Sequence, residues 1–214
     1  MKRKQKGTVA ALCLVGAFIL WTVAVCFIDV QAIGPDGSMV GFAVLNRLVH
    51  NFTGVCMLLY VLTDWLGLVP VGFGFAFAVL GLCQLIKRRR LNMVDRSLLT
   101  LGGFYIATMA VYLLFETVVI NYRPVRIDGV LEASYPSSTT LLTMCVMPTA
   151  IMQLNSRIKP AVLRRCVGSV LGVFTGFMVV GRFFSGVHWF SDIVGGILLS
   201  TGLVLLYWAI SQKE

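Results

Sequence analysis

Residues 8–28 read TVAALCLVGAFILWTVAVCFI, an unbroken run without a charged side chain. A helix rises about 1.5 Å per residue, so about 20 apolar residues cross the hydrocarbon core of a bilayer. The run is too long for the apolar part of a secretory leader, and no convincing cleavage site follows it. Lys2, Arg3, Lys4 and Lys6 precede it. The segment is therefore expected to be a retained first membrane helix that starts on the cytoplasmic side.

The rest of the chain has the same character. Its 214 residues are 58% hydrophobic and 13% charged. A soluble domain of this size needs more polar surface. The net charge of +9 does not point to nucleic acid. The basic residues fall between hydrophobic runs, at Lys2–Lys6, at Lys87–Arg90 with Arg96, and at Arg157, Lys159, Arg164 and Arg165. That is the pattern of cytoplasmic loops facing anionic headgroups. Cys13, Cys26, Cys56, Cys83, Cys145 and Cys166 are scattered without metal-ligand spacing, and the only histidines are His50 and His188. Packing cysteines and no metal or other cofactor are expected.

Charge and parity predict an all-α polytopic membrane protein with one integral domain over 1–214. Six spans are expected, at about 8–28, 70–88, 97–120, 137–154, 161–182 and 191–211. Asp29, Gly34, Pro35, Asp36 and Gly37 mark turns after the first. A second crossing before Lys87–Arg90 would put that cluster outside. Residues 50–65 are therefore expected to form an extra outer-surface or re-entrant helix, with Asp64 and Trp65 near the interface. Both termini come out cytoplasmic. Gly168, Gly172 and Gly176 make a smooth stripe suited to close helix packing. Nothing in the sequence bears on oligomeric state.

This layout leaves Arg47, Arg123, Arg126 and Arg182 on the outer side, where ionisable groups at helix ends need a reason. Three segments gather there. The first is Gly181-Arg182-Phe183-Phe184-Ser185-Gly186-Val187-His188-Trp189-Phe190-Ser191-Asp192. His188 and Asp192 share a helix face, so a carboxylate can hold one imidazole nitrogen protonated and free the other as a nucleophile. Arg182 offers a planar fork to a phosphate, and Ser191 could cap the last helix. The second segment is Asn121-Tyr122-Arg123-Pro124-Val125-Arg126, the third Tyr135-Pro136-Ser137-Ser138-Thr139-Thr140. A snorkelling arginine and an ordinary N-cap would explain either alone. Three polar helix ends on one side favour a shared anion site. Charged groups at one surface rather than mid-membrane argue against a transporter.

Together these segments resemble the type 2 phosphatidic acid phosphatases, whose three motifs run K-x6-R-P, P-S-G-H and S-R-x5-H-x3-D. Arg123-Pro124, Pro136-Ser137 and Arg182/His188/Asp192 match in that order, and the resemblance spans about residues 97–211, a phosphatase-like core. It implies a membrane lipid phosphatase at the extracytoplasmic face of the cell membrane, with a lipid phosphate or diphosphate as substrate. His188 would attack phosphorus and form a phosphohistidine, with Asp192 orienting it. Arg123, Arg182 and the Ser137–Ser138 amides would hold the phosphoryl oxygens.

Four family positions are altered: Gly181 replaces the serine of the third motif, Ser138 replaces the glycine of the second, and two further changes bear on the chemistry. Glu116 stands where the lysine is expected, and Thr139 where the histidine that protonates the leaving group is expected. Losing a general acid costs about 10²–10⁴-fold. An alkoxide needs that proton far more than a departing phosphate, whose second pKa is about 6. A preference for diphosphates, such as a polyprenyl diphosphate, is therefore expected over simple monoesters. Arg126 could restore the missing positive charge. Glu116 could pair with an arginine or supply a proton. The competing expectations are a relative that binds anionic lipid without turnover, and a lipid phosphotransferase.

Overall fold

A computed structural model describes residues 2–211, with side chains from Lys4 onward. Lys213 and the side chains of Lys2 and Arg3 lie outside the described residues. The described residues form eight α-helices: α1 (Lys2–Phe27), α2 (Ala43–Thr53), α3 (Met57–Leu66), α4 (Leu68–Arg88), α5 (Arg96–Thr117), α6 (Ser138–Arg157), α7 (Ala161–Ser185) and α8 (Phe190–Ser211). Strands are confined, among the described residues, to a two-residue hairpin pairing Gln31–Ala32 with Met39–Val40.

Among the described residues, five segments are long and apolar enough to cross a membrane: Lys4–Phe27, Met57–Arg88, Arg96–Thr117, Ala161–Ser185 and Phe190–Ser211. Their outward faces carry Leu20, Phe27, Phe75, Ile106 and Val173, all more than two-thirds exposed in the bare protein. Lipid is the solvent that suits such surfaces. The sixth expected span, α6, has 20 residues, enough for about 30 Å. It is more polar than the others because it lies in the middle, against α4, α5, α7 and α8. Thr140, Thr143, Thr149 and Gln153 are buried on it. Gln153 donates to the Tyr207 hydroxyl at 2.7 Å and to the Ser97 carbonyl at 3.1 Å.

The N-terminal half corrects one expectation. The extra surface helix is α2, at 43–53, not 50–65. Val44, Leu48 and Phe52, four residues apart, form an exposed apolar stripe, while Asn46 faces inward. The run then breaks at Gly54–Cys56 and resumes as α3, which continues through Gly67 into α4 as one long apolar unit. The break has a steric cause. Gly54 and Gly186 abut, and a Cβ on Gly186 would lie 1.8 Å from the Gly54 carbonyl oxygen. Cys56 N–H then donates to the Ser185 carbonyl at 3.0 Å. Asp64 and Trp65 thus sit on a helix packed along α7, with Asp64 turned to Arg182.

The glycine stripe of α7 is not a packing seam within the chain. Gly168 approaches Ile151, but nothing lies within 4 Å of a Cβ at Gly172 or Gly176. Close packing falls on α8 instead. A Cβ on Gly195 would meet the Tyr135 ring at 2.8 Å, and one on Gly196 would lie 3.2 Å from Thr140. These two glycines bring α8 against the segment that opens α6. The six cysteines are all unpaired.

Candidate active site

The site forms at one end of the bundle, where α3, the 118–137 loop, the start of α6, the end of α7 and the start of α8 converge. His188 occupies the short α7–α8 connection and is only 5% exposed. Gly186 makes that turn possible: its φ of +66° is a left-handed value that side chains other than glycine's resist. Trp189 precedes α8, and its N–H donates to Asp192 Oδ2 at 3.0 Å, as an acid in a first helical turn does in a capping box.

The hydrogen bonds define the imidazole tautomer. Ser134 Oγ donates its single proton to Asp192 Oδ2 at 2.5 Å. Toward His188 Nδ1, 3.0 Å away, the same oxygen must therefore accept. The Ser134 carbonyl, 3.2 Å from Nδ1, can only accept. Nδ1 thus carries the proton and Nε2 presents its lone pair. Nε2 is buried and has no partner. Burial chiefly, then the charges of Arg123 and Arg182, hold the His188 pKa well below its ordinary value. The imidazole is neutral at pH 7.

Ser134 lies between His188 and the acid that the sequence sets beside it. Asp192 also accepts from Asn121 Nδ2 at 3.0 Å and from Ser191 Oγ at 3.3 Å. Ser191 is not a cap for α8. Its hydroxyl accepts from Asn46 Nδ2 at 2.9 Å, and its N–H donates to Asn46 Oδ1 at 3.1 Å. One buried network therefore runs from α2 through Ser191, Asp192 and Ser134 to His188. Such networks hold their members firmly when every group is satisfied.

Around the free Nε2 the opposite holds. Arg182 is 1% exposed, and its Nε and Nη1 are buried without partners. Its Nη2 donates to Asp64 Oδ1 at 2.8 Å and to Thr139 Oγ1 at 2.7 Å. Arg123 lies 3.0 Å through Nε from Glu132, an ion pair not aligned as a hydrogen bond, and its Nη1 is likewise unpartnered. Both guanidiniums sit over the Tyr60 ring, at 4.9 Å for Arg182 and 5.9 Å for Arg123. Ser137 occupies the N-cap of α6, yet its hydroxyl makes no cap bond and is buried unpaired. The first amides of α6, from Ser138 and Thr139, have no intrahelical acceptor. Unsatisfied buried donors cost about 1–3 kcal/mol each, so several together mark a place for an anion.

Other expected residues fall elsewhere. Arg126 is half exposed and paired with Asp36 of the hairpin loop. Glu116 is exposed on α5, in a small recess shared with Ser134 and Ser138, and the acid paired with Arg123 is Glu132 instead. Sequence reasoning missed Asn46, Tyr60, Asn121, Glu132 and Ser134, and it gave Asp64 no part in the site. An acid inside an apolar run, with a buried arginine in need of a partner, was the available signal for Asp64. Ser134 had none.

Residues 114–214 match the model of the PAP2 superfamily. No curated protein matches the chain in sequence. Among solved structures, the chain is similar to the first transmembrane PAP2 type phosphatidylglycerolphosphate phosphatase from Bacillus subtilis, with a TM-score of 0.56 and 17% identity over 94% of each chain. At that identity the likeness is one of fold.

Proposed function

We infer that this chain, whose residues 114–214 belong to the PAP2 superfamily, is an integral membrane lipid phosphatase that works through a phosphohistidine. One observation carries the reading. A buried neutral imidazole presents an unpartnered Nε2 at the same bundle end as unpaired guanidinium and hydroxyl donors from Arg123, Arg182 and Ser137. The basic loops at the opposite end support an extracytoplasmic position for this one.

In this mechanism the phosphoryl oxygens take up the free donors of Arg123, Arg182 and Ser137 and the first amides of α6. His188 Nε2 attacks phosphorus in line with the leaving oxygen. The imidazole becomes positive, and Asp192 stabilises that charge through the Ser134 hydroxyl. Water then opens the phosphohistidine. Fixed donors aimed at the transferring group supply most of what this chemistry needs. Thr139 contributes position, not a proton: its hydroxyl bonds Arg182. A leaving phosphate departs without help, so diphosphate lipids, polyprenyl diphosphates included, fall within the substrate class beside lipid monophosphates.

Purified protein in detergent tests this. Phosphate release is expected from phosphatidate, phosphatidylglycerophosphate or a polyprenyl diphosphate, with an acid-labile phosphoenzyme that His188→Ala lacks. Undiminished turnover by His188→Ala would exclude the mechanism. The presence of Thr139 at the acid position favours one second reading, anionic-lipid binding without turnover. Wild-type binding with no release from any of the three lipids would select it.

A further inference from the structure

We propose that Asp64, from α3, is the acid that protonates the leaving oxygen, in the role for which the Thr139 hydroxyl is too weak an acid. The proposal rests on the phosphohistidine reading above. Asp64 Oδ1 and Thr139 Oγ1 bond the same nitrogen, Arg182 Nη2, at 2.8 and 2.7 Å. The carboxylate is therefore the immediate neighbour of position 139. It reaches there from outside residues 114–214.

Its accessibility suits the task. Arg182 is buried, whereas the Asp64 side chain is 59% exposed and can swing on its helix. A phosphoryl dianion entering the site competes for the same guanidinium. A carboxylate and a dianion sharing one cation at contact are most stable with a proton between them, as in paired carboxylates. Substrate entry thus lets the Asp64 carboxylate, displaced from its ion pair, take up one proton from solvent or from the entering phosphoryl group and stand as a carboxylic acid beside the scissile bond. Glu132 has no comparable link: its partner is Arg123, and no bond joins it to residue 139 among the described residues.

The step balances without a co-reactant. The Nε2–P bond forms as the P–O bond to the lipid breaks. The electron pair of that bond stays on the leaving oxygen, which takes the Asp64 proton. The Asp64 carboxylate then accepts a proton from the water that attacks the phosphohistidine. Release of phosphate leaves His188 as its neutral Nδ1–H tautomer, and Asp64 gives its proton to solvent and pairs again with Arg182.

The test is dependence on leaving group. Asp64→Asn and wild type would be compared on phosphatidate, on an aryl phosphate whose phenolate departs unaided, and on a polyprenyl diphosphate. Asp64→Asn is expected to lose about 10²–10³-fold in kcat/KM on phosphatidate. Its loss on the other two should be at least tenfold smaller, and the basic limb of the phosphatidate pH profile should disappear. Formation of phosphohistidine from the aryl phosphate shows that the variant is folded. Equal losses on all three substrates would overturn the proposal and leave Asp64 as a positioning partner of Arg182. A gain on all three would also overturn it, marking the carboxylate as a mere competitor for that arginine. If His188→Ala retains turnover, the phosphohistidine reading fails first, and a separate result reports it.

Discussion

The His188 imidazole, the nucleophile of the proposed mechanism, owes its state to Ser134, a residue with no motif around it. Because the Ser134 proton goes to Asp192, both Ser134 oxygens act as acceptors for His188 Nδ1. Ser134→Ala removes the link to Asp192 but keeps the carbonyl. Hydrogen bonds to charged groups contribute about 1.5–3 kcal/mol, so kcat should fall about 10–100-fold with little change in KM. A second expectation concerns pH. The nucleophile must be neutral, and the His188 pKa lies well below 6.5 because of burial and two nearby arginines. The acid limb of kcat/KM should therefore fall well below pH 6.5. A limb at or above 6.5 would show a solvated imidazole. The triplet Arg182, His188 and Asp192 was legible in the sequence because its spacing is local. Ser134 and Asn121 were not, because each is one polar residue in an irregular loop whose partner is decided by tertiary packing.

Among the elements, the six long helices follow from hydrophobic run length; five lie within three residues of their expected ends, and the first starts at Lys2 rather than near residue 8. The 43–66 region does not follow, since charge parity counts crossings and says nothing of where a surface helix breaks. The break belongs to the contact between Gly54 and Gly186, a backbone approach that leaves no periodic trace. Gly186→Ala should be costly. It combines a φ of +66° with a Cβ 1.8 Å from the Gly54 oxygen, and a left-handed residue alone costs about 1–2 kcal/mol. Thermal unfolding in detergent should show a lowered midpoint, with activity lost beyond the loss of folded protein because His188 lies two residues on. Gly172→Ala, with nothing within 4 Å, should leave the midpoint in place or raise it slightly, since alanine favours a helix by up to about 1 kcal/mol. A lowered midpoint would mean that the stripe packs against something beyond this chain.

For the whole molecule, the recognisable motifs occupy the C-terminal half, but the site does not. Asn46 anchors Ser191, Tyr60 lies under both arginines, Asp64 holds Arg182, and Thr22 bonds the Tyr135 hydroxyl at 2.6 Å. The helix pair α1–α8 is also the most extensive in the bundle. A chain beginning at Arg96 is therefore expected to insert poorly and to bind no phosphate analogue, even though it carries every motif residue. Vanadate inhibition or protection, compared with the full chain, checks this. Retained binding would show that the first half is a dispensable wrapping.

The nitrogen shared by Thr139 and Asp64 has a consequence for how such a site can change over generations. Two positions far apart in the chain meet at one atom of Arg182, so neither drifts alone without disturbing the other. A histidine at 139 makes the acid at 64 redundant, and the acid at 64 makes that histidine expendable. The double variant Thr139→His/Asp64→Asn should accordingly turn over phosphatidate faster than Asp64→Asn, and this epistasis is measurable as a double-mutant cycle.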